Sequence, residues 1–155
     1  MIHRTFGVAG SRETTAALAR LARSRSLVLL IGADTELAAA VGAAGVHLPE
    51  RMLAQARRLR ARRPDWVLTW AAHSRAGIAH AGRSGLDAAL VSPVFPSRSP
   101  SAGAPIGPAR LADWVRLADL PVIALGGVDA RTAPRLLGTG VAGLAAVEAF
   151  ASAGL

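Results

Sequence analysis

Two adjacent glycines, Gly126 and Gly127, are the residues whose type and position most directly suggest chemistry. They end the apolar run 120–128 (LPVIALGGV), and Asp129 follows as a candidate N-cap of a short helix. Glycine lacks a Cβ and adopts φ > 0, so the backbone here can approach a ligand closely. A strand, two glycines and a helix N-terminus can present backbone N–H groups to a phosphate. The alternative is that the glycines only form a tight turn between strand and helix.

A loop rich in serine and proline, residues 92–108, carries a second candidate. Arg98 lies in this loop, after a predicted strand, where a guanidinium either binds an anion or is simply solvated. Of the four histidines, His47 lies in the apolar strand GVHL and is predicted to be a buried core residue. His80, on a helix, and His3, near the start, receive no role.

Alternating strands and helices are predicted to position these residues. The strands are expected at 2–6, 26–31, 45–48, 66–70, 88–91, 121–125 and 144–147. The helices are expected at 12–25, 35–41, 50–63, 75–82, 110–118 and 130–137. This alternation favours an α/β fold with a parallel sheet and right-handed crossovers. Its natural closed form is a TIM-type (β/α)8 barrel, for which one strand fewer than eight is found.

Composition limits the function classes. The 155 residues are enough for a single domain spanning 1–155, and the absence of cysteine excludes disulfides and a thiol nucleophile. There is no apolar run of about 18 residues and no secretory signal, so a cytoplasmic location without a membrane partner is expected. The net charge of +8 comes with few aromatic residues and no tyrosine. The arginines of helix 50–63 are therefore interpreted as a solvated face, and no nucleic-acid partner is predicted.

Three segments together resemble a known family. They are GAAGVHL (42–48), AAHSRAGIAHAGRSGLDAALVSPVFPSRSP (71–100) and LPVIALGGVDARTAPRLLGTGVAGLAAV (120–147). In this order they resemble the thiamine phosphate synthase and TenI-type thiazole tautomerase family. The resemblance implies a TIM barrel in which residues 1–7 correspond to the second strand, so that the first βα unit is lacking.

The resemblance also implies ligands and site residues. The synthase couples an aminopyrimidine diphosphate to a thiazole phosphate with Mg²⁺, whereas the tautomerase uses a histidine, matched here by His73, as acid and base. The positions matching the family's phosphate-binding and anion-binding loops are Ser97, Arg98, Ser99, Gly126, Gly127, Ala146 and Val147.

The metal half of the site departs from the family pattern. The positions of the carboxylate and amide ligands hold Gly32, Ala33 and Met52. Asp34 and Glu50 lie nearby and could substitute as ligands, but neither is in register with the family pattern. No metal ligands are therefore assigned, and Mg²⁺ is expected only if synthase activity is retained.

Further departures fall elsewhere in the site. Ala71 replaces a serine, and Glu148 stands where the eighth strand's phosphate loop usually has serine.

Three hypotheses follow. The first is a protein of thiamine biosynthesis that binds thiazole phosphate or thiamine phosphate and catalyses either the coupling or, through His73, thiazole tautomerisation. The second is a catalytically inactive ligand-binding or regulatory barrel, and the third is a different phosphate-binding barrel enzyme. Unpaired strand edges at the missing unit favour a homo-oligomer.

Overall fold

The computed structural model describes residues 1–4, 11–97 and 103–147 of the chain. Its strands are β1 (Ile2–His3), β2 (Leu30–Gly32), β3 (Gly45–Leu48), β4 (Val67–Ala72), β5 (Ala88–Val91), β6 (Val122–Ala124) and β7 (Gly143–Leu144). Its α-helices are α1 (Ser11–Ser24), α2 (Thr35–Val41), α3 (Ala56–Arg62), α4 (Arg75–Ala81) and α5 (Gly107–Leu117). Three 3₁₀-helices span Glu50–Gln55, Gly82–Ser84 and Ala133–Leu136.

The seven strands form one parallel sheet in which spatial order follows chain order from β1 to β7. Each strand is followed by a crossover back to the next, which is the connectivity of a (β/α) barrel. The fold is a TIM-type half-barrel with one strand fewer than the closed form, as predicted. Among the described residues, β1 pairs only with β2 and β7 only with β6, so both are edge strands.

The core lies between the strands and the helices that cover them. Side chains facing the helices are fully buried, among them Ile31 of β2, Val46 of β3, and Leu68 and Trp70 of β4. Each such aliphatic side chain contributes about 1.5–3 kcal/mol of burial free energy. On the opposite face, residues in register lie side by side, and His47 is level with Gly32 and with Thr69.

Helix α2 shows how local sequence ends an element cleanly. The Oδ1 atom of Asp34 accepts a hydrogen bond from the N–H of Leu37 at 2.8 Å and caps the helix. Gly42 closes it in the left-handed conformation at φ 64°, as expected for a glycine after a helix. The short connection then leads directly into β3.

The predicted helix at 50–63 is wrong as a single element. It begins as the 3₁₀-helix Glu50–Gln55 and continues as α3, with Arg63 outside it. Within α3, Arg57, Arg58 and Arg62 are exposed as expected of a solvated basic face, but Arg60 departs from it. This half-buried side chain donates to the carbonyls of Pro64, Trp66 and Gly85 and pairs with Asp87 at 2.6 Å.

The predicted helix at 130–137 is also wrong, because only the short 3₁₀-helix Ala133–Leu136 forms there. Pro134 lacks an N–H, and its ring clashes with the carbonyl four residues earlier in an α-helix.

Five strand predictions differ from the structure in their limits. The strand expected at 66–70 forms as Val67–Ala72, and the strand expected at 121–125 forms as Val122–Ala124. The predicted strand 26–31 is shorter and later, because Leu27 and Val28 are about half exposed and β2 starts at Leu30. The last strand ends at Leu144 rather than at 147. Of the predicted strand 2–6, residues 5 and 6 lie outside the described residues. In the described part of the chain, no helix has the length and apolarity needed to cross a membrane.

Candidate functional site

The carboxyl edge of the sheet brings together the described site residues that the sequence predicts. His73 follows β4, Ser97 lies in the loop after β5, Gly126 and Gly127 follow β6, and Ala146 and Val147 follow β7. Carboxyl ends of parallel strands meet at one edge, which is where barrels bind their ligands. Arg98 and Ser99 lie outside the described residues, as does Glu148.

His73 has a defined tautomer. Its Nδ1 lies 2.8 Å from the backbone carbonyl oxygen of Ser92, an atom that can only accept a hydrogen bond. Nδ1 therefore carries the proton in the neutral ring, and Nε2 keeps its lone pair. No hydrogen bond within the described residues involves Nε2, and the side chain is exposed. His73 can thus accept a proton at Nε2 and return it.

A cavity of about 320 Å³ opens beside this imidazole. It is lined by His73, Ser92, Pro93, Gly103, Ala104 and Ile106. Its volume is in the range of small-molecule sites, and the walls combine apolar carbon atoms with a few polar groups, as is usual for such sites.

The backbone of His73 is held by the connection between β3 and β4, which contains Glu50. Ser74 caps α4, since its Oγ accepts the N–H of Gly77 at 3.1 Å. The same hydroxyl donates to Oε1 of Glu50 at 3.0 Å, and the N–H of His73 donates to that oxygen at 3.4 Å. Glu50, which the sequence offered as a replacement metal ligand, thus supports the turn that ends β4.

Gly126 and Gly127 are required by close packing as well as by backbone conformation. Their φ angles are 93° and 62°, in the region that favours glycine. A Cβ on Gly126 would lie 2.7 Å from Cα of Pro93, and one on Gly127 would lie 2.4 Å from the carbonyl oxygen of Pro96. The N–H of Phe95 also donates to the Gly126 carbonyl at 3.0 Å. The glycine turn and the loop after β5 are therefore interlocked.

Backbone N–H groups after β6 and β7 have no hydrogen-bond acceptor in the described part of the chain. Within the described residues, no hydrogen bond uses the N–H of Gly126, Gly127 or Val128, nor that of Ala146 or Val147. Amides in such a position bind oxyanions.

Asp129 organises the segment that follows, in which a short 3₁₀-helix forms in place of the expected α-helix. Its Oδ1 accepts the N–H groups of Arg131 at 2.8 Å and of Thr132 at 2.9 Å. These bonds lower the pKa of the exposed Asp129 carboxyl. Thr132 in turn donates its hydroxyl to the Gly127 carbonyl at 2.8 Å, which fixes the turn from below.

The described residues do not fit a carboxylate-held Mg²⁺. Gly32, Ala33 and Met52 offer no side-chain oxygen, Asp34 caps α2, and Glu50 binds the turn after β4. Nor do three His, Cys, Asp or Glu side chains of the described ranges cluster as a metal site would need.

His47 lies deeper in the half-barrel, and its prediction as a core histidine is confirmed. It is 5% exposed, and its Nδ1 lies 3.0 Å from Oγ1 of Thr69. Burial lowers the pKa of His47 to about 4, and repulsion from the charge of Arg4, and from His73 when its ring is protonated, adds to the effect. It is therefore neutral at neutral pH.

Sequence reasoning missed the two groups that bond to His73, the main-chain carbonyl of Ser92 and the carboxylate of Glu50. The Ser92 partner is a main-chain carbonyl from the neighbouring strand end, and no residue type signals it. The Ser74–Gly77 cap had a visible signal, a serine directly before a predicted helix.

Comparison with known proteins agrees with this architecture. A family model described as thiamine monophosphate synthase (TMP-TENI) matches residues 9–150. The chain is 36% identical over 143 residues to the thiamine biosynthesis bifunctional protein ThiM/ThiE of Symbiobacterium thermophilum, covering 91% of this chain and 30% of that protein. It is 32% identical over 129 residues to the thiamine-phosphate synthase of Limosilactobacillus fermentum, covering 83% of this chain and 61% of that protein.

A solved structure shows the same fold. Thiamine phosphate pyrophosphorylase from Pyrococcus furiosus superposes with a TM-score of 0.78 at 24% identity, covering 94% of this chain and 70% of that chain. This chain spans less than two thirds of the length of either sequence relative named above. With the family model matched over most of its residues, the chain belongs to the thiamine monophosphate synthase (TMP-TENI) family.

Proposed function

We propose that this chain binds thiazole phosphate or thiamine phosphate at the carboxyl edge of the sheet and that His73 catalyses tautomerisation of a thiazole. The observation that carries the proposal is the 2.8 Å hydrogen bond from His73 Nδ1–H to the Ser92 carbonyl. It leaves Nε2, which has no hydrogen bond to the described residues, as the basic atom beside a cavity large enough for a small ring.

The proposed reaction needs only proton transfer. Neutral His73 takes a proton from one atom of the bound heterocycle through Nε2 and becomes an imidazolium. It then returns the proton to another atom of the same ring system, so that no bond to oxygen or phosphorus changes and no oxidant is needed. An imidazole suits both steps because its ordinary pKa, near 6.5, lies close to working pH.

We assign phosphate binding to the loops that follow β5, β6 and β7 at the carboxyl edge of the sheet. The N–H groups of Gly126, Gly127, Ala146 and Val147, which make no hydrogen bond to the described residues, are suited to hold the phosphate oxygens. Ser97, half-buried after Pro96, adds a hydroxyl, and the neighbouring Arg98 and Ser99 are proposed as anion ligands.

Metal-dependent coupling receives less support. The oxygen ligands that Mg²⁺ requires are missing at Gly32, Ala33 and Met52, while Asp34 and Glu50 make other contacts. The same observation favours a second candidate, a barrel that binds thiazole phosphate without turnover.

Calorimetry and isotope exchange test these candidates together. We expect thiazole phosphate to bind with an affinity that Mg²⁺ leaves unchanged, and we expect the protein to exchange a thiazole proton with D₂O. The variant His73→Ala should lose the exchange and keep its affinity within about threefold, because the phosphate contacts lie on other loops. His80→Ala, which removes an exposed imidazole from α4, is the control.

Each alternative gives its own result. Full exchange by His73→Ala contradicts the acid–base role. Binding without exchange in the wild type supports the inactive barrel, and diphosphate binding that depends on Mg²⁺ supports the synthase.

Self-association stays a prediction. The edge strand β7 exposes half of Leu144, and the nearby Val147 is 73% exposed. We expect a dimer or larger oligomer in sedimentation equilibrium, and a monomer at all concentrations would contradict this.

A further inference from the structure

We propose that Glu50 is the positioning residue of His73. Its side-chain oxygen holds the backbone of His73 by accepting hydrogen bonds, and the negative charge of the carboxylate is not needed for this role. The inference adds a second residue to the proposed proton transfer. It rests on the proposed function only for the purpose of the contact, since the contact itself is independent of the reaction. The geometry it depends on can be measured in the protein without ligand.

The main chain of Glu50 is anchored to β4. Glu50 opens the 3₁₀-helix that follows β3, and its carbonyl accepts the indole N–H of Trp70 at 3.2 Å. Trp70 is completely buried, so this contact ties the end of β3 to a fixed point in the core. The side chain of Glu50 therefore extends from a backbone that is hydrogen-bonded to the core.

One carboxylate oxygen then grips the turn that bears His73. Oε1 of Glu50 accepts from the Ser74 hydroxyl at 3.0 Å and from the His73 N–H at 3.4 Å. Ser74 passes the constraint on, because its Oγ also accepts the N–H of Gly77 at the start of α4. Both residues of the turn are thus bonded to one atom.

The space for this contact depends on Gly77. A Cβ there would lie 2.8 Å from the Trp70 ring, 3.0 Å from Ser74 Oγ and 3.2 Å from Glu50 Oε1. A side chain at this position would push the carboxylate away from the turn. The small residue and the carboxylate therefore act as one arrangement.

Together with Ser92, Glu50 fixes His73 at two points. The Ser92 carbonyl orients the ring through Nδ1, while Glu50 holds the backbone from which the ring extends. When only one point remains, the Nδ1–H bond lengthens and the proton distributes between the two ring nitrogens. Nε2 is then protonated in part of the molecules and cannot act as a base.

Histidine-¹⁵N NMR of the full chain measures this directly. We expect the wild-type His73 signals, assigned with His73→Ala, to report an Nδ1–H tautomer. In Glu50→Ala the Nε2–H tautomer should increase severalfold, whereas Glu50→Gln should keep the wild-type signals because its amide oxygen still accepts both bonds. If the wild type exchanges thiazole protons, Glu50→Ala should lower kcat about tenfold or more with little change in KM, and Glu50→Gln should restore it.

The controls separate positioning from general damage. Glu36→Ala removes an exposed glutamate from the first turn of α2, and we expect unchanged His73 signals. Should Glu50→Ala fail to fold, Ser74→Ala removes the stronger of the two bonds and should shift the tautomer in the same direction.

Two results would overturn the proposal: wild-type tautomer signals in both alanine variants, or a Glu50→Gln protein as altered as Glu50→Ala. A shifted tautomer in a protein without exchange activity supports the positioning role and rejects the proposed reaction instead.

Discussion

Acidification should destabilise this protein through His47. The buried imidazole has its pKa lowered from 6.5 to about 4, first by burial and then by the charge of Arg4, and by that of His73 when its ring is protonated. Between these two values the unfolded chain binds a proton that the folded protein does not. Stability therefore rises with pH across this window and is lost as the pH falls through it.

The two pKa values set the magnitude. From about pH 7.5 to about pH 5, the contribution of His47 to the free energy of unfolding falls by about 2 kcal/mol. Near pH 4 and below, the folded imidazole also binds its proton and the loss levels off at about 3 kcal/mol. The shift for Asp129 acts at lower pH, because the pKa of that carboxyl lies below its ordinary 3.8.

Urea unfolding at about pH 7.5 and about pH 5 isolates the contribution of His47 to the free energy of unfolding. The variant His47→Asn keeps a polar atom near Thr69 and removes the titrating ring, so its stability should fall by about 2 kcal/mol less than that of the wild type over the same pH range. His80→Asn, at an exposed site, measures how much another histidine contributes. Equal losses in the wild type and in His47→Asn would refute the reasoning.

Three further predictions concern stability, each measured by urea unfolding. Gly127→Ala should lower the free energy of unfolding by about 3 kcal/mol, since the φ of 62° and the 2.4 Å approach to Pro96 both oppose a Cβ. Gly103→Ala, where a Cβ meets no atom within 4 Å, should change it little. Similar losses in the two variants would contradict this explanation. Ala33→Gly should stabilise by about 0.5 kcal/mol because it relieves a φ of 64°, whereas the same change at Ala39 inside α2 should cost about 1 kcal/mol. Arg60→Ala should cost about 2 kcal/mol through the lost bonds to three carbonyls and Asp87, and a loss below that of the exposed Arg58→Ala would show these bonds to be unimportant.

The sheet could be predicted because its signals are local. Apolar runs bounded by glycine or proline, such as those at β3 and β5, became strands with the expected limits. Gly42 marked a helix end for the same reason, since its left-handed conformation is a property of one residue.

Other elements depended on partners that no local pattern contains. β2 begins at Leu30 because pairing with β1 and β3 sets its register, although Leu27 and Val28 are equally apolar. The sequence predicted His73 as a site residue after β4, but its tautomer depends on the carbonyl of Ser92, which follows β5. Glu50 drew attention in the sequence only as a carboxylate near the missing metal ligands, and its contact with Ser74 depends on the fold.

The bond between His73 and Ser92 has a consequence for how this site tolerates mutation. The acceptor is a main-chain oxygen, which every amino acid supplies, so substitutions at position 92 that keep the backbone path leave the proton on Nδ1. Sequence drift or a designed library at this position can therefore reshape the cavity wall without altering the basicity of the opposite nitrogen. Position 92 thus combines a side chain that is open to substitution with a main-chain oxygen that fixes the tautomer of His73.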